Sequence, residues 1–127
     1  MFSVHPDRVK VIFFVSRDKE DMFLSFLFNL GYSWIERDFN SLSKRLEPFG
    51  IILIRDDDTR IEKLFNRFIE SSNVIYYAVG ANHLFTVDTI DPFIHTIFVN
   101  SSQWQVFNDV FKNLHGETFE ELLNKIK

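Results

Sequence analysis

The run VKVIFFV at residues 9–15 constrains this chain most, because six of its seven residues are apolar and none of its alternate positions is reserved for water. A strand of that kind has to be covered on both faces, which is the condition of a strand inside a parallel sheet. Similar short runs recur as IILI at 51–54, NVIYYAV at 73–79 and TIFVN at 96–100. YSWIER at 32–37 reads as a further short strand.

Between these runs the apolar spacing changes to that of helices. After the first strand, Asp18 is a plausible N-cap, and Glu20 and Asp21 suit the positive end of a helix dipole. Phe23, Phe26, Leu27 and Leu30 then repeat at helical spacing up to Gly31, with Leu24 and Phe28 widening the stripe. NSLSKRLEP is predicted to be a short helix that stops before Pro48. Thr59 with Glu62 forms a capping box for a helix whose face is Ile61, Leu64, Phe65, Phe68 and Ile69. Ser102 with Gln105 opens a helix carrying Trp104, Phe107, Phe111 and Leu114, closed by Gly116. Thr118 with Glu121 opens a last one with Phe119, Leu122, Leu123 and Ile126. The rhythm breaks at residues 80–95, GANHLFTVDTIDPFIH, which read as an extra antiparallel strand or an irregular segment. Alternating strands and helices with short connections predict a three-layer α/β sandwich, with a mainly parallel central sheet of about five strands and helices on both faces.

With 127 residues, 46% of them hydrophobic and 25% charged, the chain has material for one core, and residues 1–127 are expected to form a single domain. Sixteen Phe exceed what a core of this size ordinarily takes up, so part of the aromatic surface is expected to face a partner. A net charge of −4 argues against a binder of phosphate backbones and favours a protein partner, basic or neutral. With no cysteine there is no disulfide, thiolate metal site or thiol nucleophile. VIFFV is too short for a signal sequence or a membrane span and runs into the charged SRDKED, so a soluble cytoplasmic protein is expected. NSS at Asn100 matches a glycosylation acceptor by chance in that setting.

The stretch that invites chemistry is FGIILIRDDDTRIEKLF, residues 49–65, in which a buried strand ends in Asp56, Asp57 and Asp58. Ligands of open α/β sheets bind beyond the carboxyl ends of the strands. Ser16, Arg17 and Asp18 would share that rim, with Gly80, Asn82 and Asn100 beyond the later strands. Asp18, Asp56, Asp57 and Asp58 could together hold Mg²⁺, a hard ion that takes oxygen ligands. The competing reading is a solvated turn that serves the dipole of the following helix. On that reading, which is the expectation here, the three aspartates are unpartnered and repel one another.

The succession VIFFVSRDKED, LGYSWIE, IILIRDDD, VIYYAVG and TIFVNSSQWQVFNDVFKNL resembles response-regulator receiver domains over residues 9 to 114 and implies a flavodoxin- or receiver-like arrangement. The resemblance implies a phosphoacceptor at the end of the third strand, where Asp56 or Asp57 lies nearest. The other family positions differ. Ser16 and Arg17 stand where receivers carry an acidic pair, Ala78 or Val79 replaces the fourth-strand hydroxyl residue, and Asn100 replaces the fifth-strand lysine. What the resemblance implies is therefore a pseudo-receiver, with the shape and without phosphotransfer.

No glycine-rich phosphate loop, G-x-S-x-G or H-E-x-x-H occurs, and no catalytic residue is assigned. His5, His83, His95 and His115 are too scattered for metal-ligand pairing, although His115 suits a helix C-terminus. Trp34 and Trp104 lack a basic surround and belong to a core or a protein interface. Two functions follow. The first is a non-enzymatic protein-binding module (adaptor, inhibitor or immunity-type protein) without a cofactor, contacting its partner or a second copy of itself through Phe23, Leu24, Phe28 and Trp34. The second is a Mg²⁺-dependent phosphoacceptor or phosphohydrolase using the Asp56–Asp58 rim.

Overall fold

A computed structural model describes residues 8–55, 57–60, 63, 74–79, 94–97 and 101–126. In these residues the chain is a mixed α/β protein with a parallel sheet and four α-helices. Strand β1 is Val11–Val15 and β2 is Ile51–Arg55, paired in parallel register from Val11 opposite Ile51 to Val15 opposite Arg55. On its other side β1 pairs with β3, Ile75–Val79, and β3 pairs with β4, Ile94–Ile97, giving the order β2-β1-β3-β4. The helices are α1 (Glu20–Asn29), α2 (Phe39–Leu46), α3 (Ser101–His115) and α4 (Phe119–Lys125).

β1 and β2 pair because neither has an apolar position to give to water. All five residues of β1 are buried, as are Ile51 to Ile54 of β2. Val11, Phe13, Val15, Ile51 and Leu53 point to one face and join a single core cluster with all four helices. Ile12, Phe14, Ile52 and Ile54 point to the other face by the two-residue period of a strand, and they too are buried, so both faces of this strand pair are covered.

Phe13 sits at the centre of the first face, its ring 5.3 Å from Phe23, 5.7 Å from Phe107 and 5.4 Å from Phe119. Trp104 extends the cluster, 5.0 Å from Phe26 and 5.6 Å from Phe119 in edge-on contacts, the geometry that aromatic quadrupoles favour. Much of the phenylalanine excess is thus interior: Phe13, Phe14, Phe23, Phe39, Phe107, Phe111 and Phe119 are all buried.

Several expectations need correction. Residues 32–37 are turns and irregular chain instead of a strand. The place beside β1 is filled in register by β2, and 32–37 connects α1 to α2 through a turn closed by Ile35 N–H on the Tyr32 carbonyl at 3.1 Å. Ile51–Arg55 is consequently the second strand in chain order among the described residues, not the third. Asp18 is not an N-cap. It lies in a one-turn 3-10 helix, Arg17–Lys19, which precedes α1, and α1 itself has no side-chain cap. The cap that does form is Asp38, whose carboxylate accepts the Ser41 N–H at 2.9 Å and starts α2.

Gly31 ends the first helical segment as expected, at φ 104°. Gly50 matters more. Its φ is 82°, and a Cβ there would collide with the Arg8 carbonyl, so only glycine lets the chain turn from the 3-10 helix Glu47–Phe49 into β2. At the carboxyl end the expected capping box is present, with Glu121 N–H on Thr118 Oγ1 at 3.0 Å and Thr118 N–H on Glu121 Oε1 at 2.9 Å. The strand expected at 96–100 starts earlier, at Ile94, as β4. Apart from Lys63, which is helical, the helix expected after Thr59, most of the 80–95 segment, and Asp56, Gly80, Asn82 and Asn100 lie outside the described residues. Among the described residues no helix is long and apolar enough to cross a membrane.

Candidate functional site

The carboxyl ends of β1 and β2 place their following residues on one rim, and the charges there are organised in pairs. Arg17, just after β1, donates from Nε to Asp57 Oδ2 at 2.5 Å. Asp58 accepts from the Arg60 backbone N–H at 2.8 Å and from the Arg60 guanidinium at 2.7 to 3.2 Å. These bonds from Arg60, its side chain foremost, hold the Asp58 carboxyl below its ordinary range. Arg55, the last residue of β2, forks onto Glu20 at 2.9 and 3.2 Å, reaches Asn40 Oδ1 at 3.3 Å, and lies 4.6 Å over the Phe39 ring.

The expected set of three unpartnered aspartates is overturned for Asp57 and Asp58, each of which has an arginine. Physically, the strand ends bring cations from β1, from β2 and from the turn itself to the acidic run. Asp18 is exposed on the 3-10 turn. Among the described residues no group of three or more His, Asp or Glu side chains is placed to hold a metal ion. A divalent cation at Asp57 or Asp58 would have to compete with a charge-assisted bond from a guanidinium.

The candidate contact residues divide. Phe23 and Leu24 are 0% and 2% exposed and belong to the core, so neither offers surface to a partner. Their face of α1 is the one turned to the sheet. Phe28 is 39% exposed, with the Arg37 guanidinium 5.5 Å over its ring and Arg37 Nη2 donating to Ser25 Oγ at 3.0 Å. Met22, 40% exposed, stands about 120° around α1 from Phe28, because six residues are well short of two full turns at 3.6 residues per turn. Trp34 is half-buried, with Arg45 stacked 5.1 Å from its ring and Tyr32 at 6.3 Å.

Arg37 and Arg45 were not legible as site residues, because their ring partners are set by the turn after Gly31 and by α2, not by local spacing. Trp104 is interior, its indole N–H donating to Glu120 Oε2 at 3.0 Å. His115 ends α3 and donates from Nε2 to the Lys10 carbonyl at 3.2 Å. His95 lies in β4, and His5 and His83 are outside the described residues. No protein-family model, no curated protein and no solved structure matches this chain.

Proposed function

We propose that the chain is a non-enzymatic protein-binding module of the adaptor, inhibitor or immunity type, carried on a receiver-like three-layer α/β sandwich. The observation that carries the reading is the exposed Phe28 ring of α1 held beneath Arg37. Aromatic and arginine side chains dominate the energetics of protein interfaces, and a pair already fixed by stacking and by the Ser25 bond loses less freedom on binding. Trp34 under Arg45 supplies a second such pair in the connection to α2. The net charge of −4 favours a basic partner during encounter.

Burial on both faces of β1 and β2 supports the three layers, and the strand order β2-β1-β3-β4 is that of the first four strands in flavodoxin-like sheets. In that layout the third strand is Ile75–Val79, so Asp56 and Asp57 follow the second strand and do not take the acceptor rank that the receiver resemblance gave them. The alternative, a Mg²⁺-dependent phosphoacceptor, draws on the Arg17 to Asp57 contact, which brings the residue after β1 to the acidic run.

The test is affinity capture with mass spectrometry, run in parallel on wild type, Phe28→Asp and Asp57→Asn. A partner retained by wild type and Asp57→Asn but lost by Phe28→Asp is the expected result, with sedimentation identifying the case of a second copy. Loss on Asp57→Asn with full retention by Phe28→Asp would overturn the proposal in favour of the rim.

A further inference from the structure

At the edge of the sheet opposite the carboxylate rim, where β1 and β2 begin, lies a cavity of about 430 Å³. Phe49, Leu114 and Leu122 give it an apolar lining, and Arg8, Lys10 and His115 give it polar groups. We propose that this cavity binds a small organic monocarboxylate, with its apolar body against Phe49, Leu114 and Leu122 and its carboxylate on the Arg8 guanidinium. The ligand and the site are independent of the protein-binding surface on α1.

Size and lining come first. Ligand pockets usually span about 300–1,000 Å³, and this cavity has that size, with its walls shared almost evenly between apolar and polar groups. Its frame is fixed by hydrogen bonds to backbone carbonyls. Lys10 N–H donates to the Gly50 carbonyl at 2.7 Å, His115 Nε2 donates to the Lys10 carbonyl at 3.2 Å, and Gly116 N–H closes α3 on the Lys112 carbonyl at 2.8 Å. Phe49 is held in a 3-10 turn beside Pro48 and is 39% exposed, so its ring is open to an apolar group placed in the cavity.

Charge then selects the head group. Lys10 is paired with Glu117 at 3.5 Å, and Glu117 is shared with Lys125 at 2.6 Å. Two lysines around one glutamate leave this end of an otherwise acidic protein locally positive. Among the described residues Arg8 has no carboxylate partner. One exposed guanidinium beside an already matched lysine suits a single planar carboxylate, which it can hold through two parallel N–H bonds, better than a dianion.

The experiment is an amide NMR titration of the full chain with benzoate, with neutral benzyl alcohol and with inorganic phosphate, on wild type, Arg8→Gln and Phe49→Ala. Benzoate is expected to give saturable shifts centred on Arg8, Lys10, Phe49 and His115, with a dissociation constant of about 1 mM or tighter. Benzyl alcohol is expected to bind the same residues about tenfold more weakly, and phosphate not to saturate. Arg8→Gln should abolish the preference for benzoate over benzyl alcohol, and Phe49→Ala should weaken both. The proposal is overturned by benzoate that fails to saturate at about 10 mM, by shifts centred elsewhere, by equal affinity for the two aromatic probes, or by phosphate binding as tightly as benzoate. Because the three probes are compared on wild type, that comparison decides even if a variant misfolds.

Discussion

Asp57 and Asp58 are neighbours with different partners, and the difference sets what each can do. Asp57 answers an arginine forty positions earlier, whereas Asp58 folds back on Arg60 two residues ahead and also accepts its backbone N–H. Sequence spacing could show that an acidic run ends a strand. It could not show the Arg17 contact, because that pairing exists only once β1 and β2 lie side by side. The same limit explains α1, where helical spacing marked Phe23, Leu24 and Phe28 alike and only the direction of the sheet separates the two buried residues from the exposed one.

The Arg17–Asp57 pair is exposed and Asp58 is half-buried beside an exposed Arg60, so Asp57→Asn and Asp58→Asn should each lower stability by about 1 kcal/mol or less in chemical denaturation. For Asp58 the pH dependence has a definite sign. Its folded carboxyl lies below the ordinary value of 3.8, so its stabilisation is present above that value and is lost as pH falls through the lower folded one. The stability difference between wild type and Asp58→Asn should therefore be constant above about pH 5 and close at more acid pH. A difference that widens on acidification would contradict the Arg60 assignment. Millimolar Mg²⁺ is expected to leave the Tm unchanged, since a ligand stabilises the fold only by binding it. A saturable rise that disappears in Asp57→Asn would establish a Mg²⁺ site on the rim instead.

At the scale of elements, legibility followed the range of the interactions. The capping box of α4 is a contact between residues three apart, and Thr118, Glu121 and the buried face Phe119, Leu122, Leu123 and Ile126 appear as the spacing implied. Residues 32–37 failed for the opposite reason. Tyr32, Trp34 and Ile35 have the composition of a strand, but a strand needs a neighbour, and β2 already occupies that side of β1. Their bulk serves the helix layer instead, with Tyr32 Oη donating to the Glu120 carbonyl at 3.1 Å and Ile35 buried in the core.

The α4 helix is latched twice more to α3. Trp104 Nε1 donates to Glu120 Oε2, and Asn108 Oδ1 accepts the Glu120 N–H at 3.2 Å. Removing the cap by Thr118→Ala is expected to cost about 1 kcal/mol. Phe107→Ala, which empties a buried ring site in contact with Phe13 and Phe119, should cost about 3–5 kcal/mol. Equal costs for the two variants would mean that the α3 face is not packed as described.

For the whole molecule, the informative fact is that one apolar cluster draws on all four described α-helices and on three strands. Val11, Phe13 and Val15 of β1, Ile51 and Leu53 of β2, and Ile75 of β3 join residues of all four helices in it. The alternation of buried runs and helical stripes made the parallel α/β character legible, because a strand with two apolar faces requires a layer on each. Strand order was not legible, since it depends on which side of β1 each later strand joins. A core that recruits residues from position 11 to position 126 leaves no described element with an apolar interior of its own. The chain is therefore expected to unfold in one cooperative step, as a single domain. Helical circular dichroism, the fluorescence of the tryptophans and calorimetry should give one midpoint, and the van't Hoff and calorimetric enthalpies should agree. Trp104 is buried among Phe26, Phe107 and Phe119, while Trp34 is half-exposed between α1 and α2. Trp104→Phe and Trp34→Phe isolate the two reporters, and coincident transitions from them are the expected outcome. Separate midpoints would mean that the α1 to α2 connection, which carries the proposed contact surface, unfolds independently of the core.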